Sequence, residues 1–173
     1  GAARPRGPVD AIVPVGFDIV HLLVPSDAPA LDWEGGLRLG VGEPDGVTAR
    51  TAALLAAGLP GAEPTLVEAS VGGDGGLRAQ ADQVRAGGLD GLLIMAEPGH
   101  PLVAELLADG LDLAPLDLWE ARGNRVAFPF LQPVTIPTAT YDGQRRPIAS
   151  VGSQVVLAAA RPDPGDAVGI VGP

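Results

Sequence analysis

The chain has 173 residues, enough for one domain or two small lobes with a substantial buried core. Apolar residues make up 46% of it but aromatic residues only 3%, and 25 Gly and 18 Pro predict short elements with many turns, as in layered α/β proteins. The net charge of −10 disfavours nucleic acids and anionic membranes as partners, and the lack of cysteine excludes disulfides, thiolate metal sites and cysteine nucleophiles.

The first structured segment contains two apolar runs. Residues 11–15 and 19–24 predict two strands with a break at Gly16, and Pro14 weakens the first of them. His21 lies inside the second run, where we interpret it as a satisfied or edge histidine rather than a ligand.

From residue 37 onward, predicted strands and helices alternate strictly. This alternation indicates βαβ units on a parallel or mixed sheet. The predicted strands are residues 37–41, 65–68, 91–95 and 111–116, and the predicted helices are residues 47–57, 74–86 and 100–108. Local signals support the helices: Asp74 is a candidate N-cap, Gly87 follows the second helix, and Pro101 lies in the first turn of the third.

After residue 116 the alternation stops, and residues 148–160 predict one long, mostly apolar strand. The βαβ unit is therefore flanked by strands on both sides in the sequence, as if it were inserted into a second lobe. We divide the chain into a tail (1–9), crossover strands of a first lobe (10–36), a βαβ ligand-binding lobe (37–117), a return segment to the first lobe (118–160) and a tail (161–173).

The turn between the predicted strand 37–41 and the helix that follows is the main candidate site. A strand that turns sharply into a helix brings unpaired N–H groups and the positive end of the helix dipole to one point, which suits a carboxylate or phosphate. A purely structural turn is the alternative, since every α/β protein needs glycines there. The turn lacks the lysine of a P-loop and the dinucleotide-binding spacing, and Glu43 and Asp45 would repel a polyphosphate. A small acid fits it better than a nucleotide.

Five residues of this turn are candidate ligand contacts. The hydroxyl of Thr48 and the N–H groups of Gly46 and Val47 could hold a carboxylate, or Thr48 could cap the helix. Asp45 could pair with a ligand ammonium group or cap the helix. Arg50 could reach an acidic ligand or be solvated on the helix surface.

Glu97, Gly99 and His100 follow a predicted strand at its carboxyl end, the edge where open α/β sheets bind ligands. We therefore expect them on the same sheet edge as residues 42–48. His100 could instead be a helix-start residue that faces water, and two histidines offer little for a metal site. We expect no metal, no cofactor and no catalytic constellation, because the acidic residues are scattered and serines are few.

Several ordered motifs resemble the TAXI family of TRAP-transporter solute receptors. They are the strand, glycine turn and GVT helix start at residues 33–48, VRAGGLDGLLIM at residues 84–95, GHP at residues 99–101, and IPTATY at residues 136–141 followed by Gly143 and Gln144. The resemblance covers about residues 10–160. It implies a three-layer α/β fold like that of periplasmic-binding-protein type II, with one βαβ lobe and the strands of an incomplete second lobe.

The resemblance also implies a function. The chain would be a periplasmic or other extracytoplasmic solute-binding protein, with or without a membrane anchor, and not an enzyme. It would bind a small organic acid or amino acid in an interlobe cleft and present it to the permease subunits of a TRAP-type transporter. The phenol of Tyr141 would close over the ligand, or else only cap a loop. The alternative is a metabolite-sensing module of a signalling or regulatory protein.

The departures from the family matter too. Nothing here corresponds to the family's glycine-rich opening segment and first two βα units, so the chain resembles the second half of a receptor. We therefore expect weak ligand binding by this chain alone. We also expect apolar surface on residues 11–15, 19–24 and 148–159 that favours self-association or pairing with a missing N-terminal segment.

Overall fold

The alternating pattern after residue 36 folds into strands and helices close to the predicted bounds. A computed structural model describes residues 9–58, 63–116 and 130–160, and all structural statements concern these residues. Their strands are β1 (Val9–Pro25), β2 (Arg38–Gly40), β3 (Thr65–Val67), β4 (Gly91–Ala96), β5 (Leu111–Ala114), β6 (Gln132–Ile136) and β7 (Ile148–Ala160). Their helices are α1 (Val47–Ala57), α2 (Gly73–Arg85) and α3 (Pro101–Ala108).

The strands form one mixed sheet in the order β3-β2-β4-β1-β7-β6, and β5 also pairs with β1. β2 runs parallel to both β3 and β4. β1 is antiparallel to β4, β5 and β7. Because β4 and β5 both oppose β1, the four strands from β2 to β5 all point the same way, which confirms the predicted parallel or mixed sheet.

The prediction of two separate opening strands is wrong. β1 is continuous from Val9 to Pro25, and the break expected at Gly16 is only a register shift between Pro14 and Gly16. The partner β7 pairs with β1 on both sides of this shift, so the ladder continues through it. The later part of β1 lies between β4 and β5, at the centre of the sheet. The predicted lobe boundaries stay a prediction.

The helices cover both faces of the sheet. Alternate residues of β1 divide between two buried clusters: Leu23 packs on the side of α2 and α3, whereas Leu22 packs on the side of α1. β4 shows the same division, with Leu92 on the first side and Leu93 on the second. The described residues therefore form three layers, with the sheet in the middle.

The helix ends lie within one residue of the predicted bounds. α1 begins after Gly46 as predicted, and α3 begins at Pro101, one residue later than predicted, because His100 is its N-cap. Gly87 has φ +75° after the end of α2, where a glycine is favoured. The prediction of Asp74 as an N-cap is wrong, because Gly72 takes the extended N-cap conformation and Asp74 is already the second helical residue.

Residues 9–18 of β1 and 153–160 of β7 form a two-stranded extension beyond β4 and β6, which we call the β1–β7 ribbon. Its exposed apolar side chains are Val13, Val15, Val155, Val156 and Leu157. Apolar exposure is confirmed there. It was wrongly predicted for residues 19–24, which are buried between the two helical layers, and for Ile148 and Val151 at the start of β7, which are buried too. No helix in the described part of the chain is long and apolar enough to cross a membrane.

Candidate functional site

The topology creates one place where ligands commonly bind in α/β proteins. From β2 the chain passes through α1 to β3 on one side, and α2 then carries it back across to β4 on the other side of β2. The carboxyl ends of β2 and β4 are therefore neighbours at a point where the strand order reverses, and a crevice opens between such strand ends.

A cleft of about 200 Å³ lies at this point, and we call it the switch-point cleft. The starts of all three helices contribute to it, together with the ends of β2 and β4. The lining residues are Val41, Gly42, Glu43, Gly46, Val47, Thr48, Gly73, Asp74, Leu77, Ile94, Met95, Ala96, His100 and Leu102. The expectation that residues 42–48 and the segment after β4 share one sheet edge is confirmed by this lining.

Gln80 of α2 holds the backbone beneath the cleft lining, at the ends of β2 and β3. Its side chain is almost fully buried, and its Oε1 accepts a hydrogen bond from the Gly42 N–H at 2.8 Å. Its Nε2 donates to the Val67 carbonyl at 2.7 Å. One amide group thus ties α2 to the ends of β2 and β3. The sequence signal for it, a polar residue on the apolar face of a helix, was missed.

Thr48 joins α1 to β4. Its Oγ1 accepts a hydrogen bond from the Met95 N–H at 3.1 Å, so the hydroxyl lies between the two elements and its proton can point toward the cleft. The predicted capping role is wrong, because Gly46 is the N-cap and Thr48 is the second residue of the helix. The predicted role in ligand binding stays a prediction.

The three helix starts that meet at the cleft differ in how they are capped. At α1, Gly46 has no side chain to bond the first amide groups. At α2, the Gly73 N–H donates to Oε2 of Glu43 at 3.3 Å, a bond made across the cleft mouth. At α3, Nδ1 of His100 accepts from the Leu102 N–H at 3.3 Å. His100 is therefore an N-cap that also lines the cleft.

Tyr141 is buried, and it does not line the cleft. Its hydroxyl oxygen accepts a hydrogen bond from the Gly99 N–H at 3.1 Å and lies 2.8 Å from Nε2 of His21. Having accepted from Gly99, the hydroxyl can donate its own proton to Nε2. Burial raises the pKa of Tyr141, opposed by backbone hydrogen bonds from Gly99 and His100, so the phenol keeps its proton. Of the two roles predicted for Tyr141, closing over a ligand or capping a loop, the contacts match the second. Its hydroxyl bonds the loop after β4, and its side chain does not line the cleft.

His21 is fully buried in β1, a central strand, and is therefore not an edge histidine. The alternative prediction, a histidine whose ring nitrogens are hydrogen-bonded, is met at Nε2 only. Burial lowers its pKa to about 4, while the carbonyls of Ile94 and Ile19 act in the opposite direction and the charge of His100 adds to the lowering. Its Nδ1 has no hydrogen bond of good geometry among the described residues. The imidazole is therefore neutral at ordinary pH.

Two carboxyl groups and one imidazole come together beside the cleft. Ile19 pairs with Ala96, which places Asp18 next to Glu97, the residue that follows β4. Burial raises the pKa of Asp18, the charge of Glu97 raises it further, and the charge of His100 opposes both. This acidic corner was not expected, because the pairing of β1 with β4 cannot be read from local sequence.

The remaining predicted site residues lie near the cleft but do not line it. Asp45 is exposed with φ +57°, and it does not cap α1. Arg50 is exposed on α1. Glu97 and Gly99 are exposed in the loop that leads to α3, where Gly99 has φ +81°. A role in ligand binding stays a prediction for all four residues.

The described residues contain no group of three or more histidine, aspartate or glutamate side chains that could hold a metal ion. Compared with known protein families and with curated proteins, the sequence has no match.

Proposed function

We propose that this chain supplies the ligand-binding lobe of an extracytoplasmic solute-binding protein of a TRAP-type transporter, similar to the TAXI family and to the periplasmic-binding-protein type II fold. One observation carries the proposal. A cleft lies at the strand ends where the strand order reverses, and the start of α1 faces it with no side-chain cap. The N–H groups of Val47 and Thr48 are among the first amides of α1, which have no carbonyl partner within the helix.

The chemistry of this helix start favours an acidic ligand. Free amide hydrogens and the positive end of the helix dipole together attract a carboxylate group. The Thr48 hydroxyl adds a donor on the same side. The cleft is smaller than the pockets that hold drug-sized molecules, of roughly 300–1,000 Å³. A small organic acid or an amino acid therefore suits it.

The path of the chain also supports a lobe that belongs to a larger binding protein. The chain runs into the sheet and out of it through neighbouring strands, since Val9 pairs with Ala160 and Ile19 with Gly152. Both strands of this ribbon carry exposed apolar side chains. Such a surface suits contact with an opposing lobe, which would complete the cleft and shield the ligand from water.

The proposal is tested by calorimetric titration of the purified chain with small carboxylates and amino acids. Binding should be weak, because one wall of the cleft would be missing. Val47→Trp should weaken the binding at least about tenfold by filling the cleft. The control is Val71→Trp: Val71 is exposed to 62%, close to the 59% of Val47, but it does not line the cleft.

Two results would contradict the proposal. One is the absence of binding to every acid and amino acid at millimolar concentration. The other is equal affinity of the wild-type chain and the Val47→Trp variant, which would place the ligand elsewhere.

A further inference from the structure

The carboxylate side chain of Glu43 is part of the lining of the switch-point cleft. Glu43 follows the turn glycine Gly42, and its Oε2 accepts the Gly73 N–H at the start of α2. A Cβ atom on Gly72 would lie 2.5 Å from the same oxygen, so the carboxylate rests against the backbone of the helix start. The position that an external carboxylate would take at α2 is therefore occupied by this side chain.

The negative charge of Glu43 has no cation beside it. No ion pair of Glu43 occurs among the described residues. The nearest arginine along α2, Arg78, donates two hydrogen bonds of 2.8 Å to Glu105 and lies 3.8 Å from Asp74. Glu43 is exposed, so solvent screens part of its charge, but no described side chain forms an ion pair with it, and its carboxylate acts on whatever enters the cleft.

The start of α1 is different. Gly46 has no side chain, and a Cβ atom there would lie 3.0 Å from Cγ of Glu43. Glu43 packs against this turn with its methylene groups while its carboxylate is directed to α2. The start of α2 is therefore bonded by a carboxylate, whereas the start of α1 has no side-chain partner.

We infer that Glu43 is a specificity-determining residue, which fills the second anion position of the cleft and restricts the ligand to one carboxylate group. The inference rests on the proposed function, because it concerns the ligand of the same cleft. A dicarboxylate would have to place its second charge beside Glu43 or displace it from the Gly73 amide. A ligand whose other end is neutral or cationic meets no such repulsion.

The test uses two probes of nearly equal shape, succinate and its monoamide, succinamate. Calorimetric titration near neutral pH compares their affinities for three proteins: wild type, Glu43→Gln and Glu68→Gln. Gln at position 43 keeps an oxygen that can accept the Gly73 N–H. Glu68→Gln removes the same charge from an exposed residue that follows β3 and lies outside the cleft lining.

Wild type should bind succinamate about tenfold more tightly than succinate, from the Coulomb repulsion of a second carboxylate. Glu43→Gln should reduce that ratio to about one or two, and Glu68→Gln should keep it. Equal affinity of wild type for both probes, or an unchanged ratio in Glu43→Gln, would overturn the inference and leave the proposed function standing. If neither probe binds but another acid does, the same comparison is made between a dicarboxylate of that acid's length and its monoamide, with the same two outcomes. If no acid binds at all, the proposed function fails and the inference fails with it.

Discussion

His21 should make the folded chain less stable on acidification. The imidazole is fully buried, and burial lowers its pKa to about 4 from an ordinary value of 6.5. Between these two values the unfolded chain binds a proton that the folded chain does not. The contribution of His21 to stability is therefore complete above pH 6.5 and is lost as the pH falls toward 4.

The size of the loss follows from the two pKa values. It amounts to about 2 kcal/mol at pH 5 and approaches about 3 kcal/mol below pH 4. The neighbouring carboxyl group of Asp18 acts in the opposite direction, because burial raises its pKa and the folded state takes up that proton first. The charges of Glu97 and His100 also face this region, so the total pH dependence is a sum over several groups.

A variant isolates the part that belongs to His21. His21→Gln keeps a group that can bond the Tyr141 hydroxyl but does not titrate, and His100→Gln serves as the matched control. Urea denaturation at about pH 7.5 and about pH 5 should show that wild type and His100→Gln lose about 2 kcal/mol more than His21→Gln does. Equal losses in wild type and His21→Gln would refute the assignment of a lowered pKa to His21.

Three further predictions concern Gln80, the edge of the cleft and the ribbon. Gln80→Leu should lower the free energy of unfolding by about 2 kcal/mol, because the Gly42 N–H loses its partner while the Val67 carbonyl keeps the Val41 N–H; in urea denaturation the exposed Gln83→Leu should change it by less than about 0.5 kcal/mol. Thr48→Ala should weaken binding of an acidic ligand by about 1 kcal/mol in calorimetry, with Thr48→Ser close to wild type, and unchanged affinity would limit Thr48 to its bond with β4. Light scattering should detect self-association of the chain that Leu157→Asp in the β1–β7 ribbon reduces and Val71→Asp does not, whereas a wild-type monomer at high concentration would contradict this.

The elements could be predicted because their signals are local. The strand-to-helix turn before α1 contains two glycines, and Gly58 follows the helix, so its bounds of Val47 and Ala57 are confirmed to the residue. The βαβ alternation then restricts four strands to one direction, since crossover connections join parallel strands. The shared sheet edge follows from that direction alone.

The contacts that required the structure are long-range in sequence. Tyr141 and His21 are 120 residues apart, and nothing in either segment indicates the other. The continuity of β1 across Gly16 depends on pairing with β7, more than 130 residues later. Local sequence predicts that Pro14 and Gly16 interrupt a strand. Pairing with a partner strand can nevertheless continue past both residues when the register shifts there.

The topology and the sequence make separate contributions to the charge of the cleft. Any chain that follows β2, β3 and β4 with helices places three positive helix ends at one edge of the sheet. The side chains near these helix ends then determine how much of the positive electrostatic potential remains. Here the Glu43 carboxylate faces α2 and the His100 imidazole faces α3, while Gly46 leaves α1 without a side-chain partner. A relative with the same topology but a neutral residue in place of Glu43 would present two open helix ends, and under the proposed function these would favour a dicarboxylate. The class of acid that the proposed site prefers would then change with a single side chain in the turn after β2, without any change in the course of the backbone.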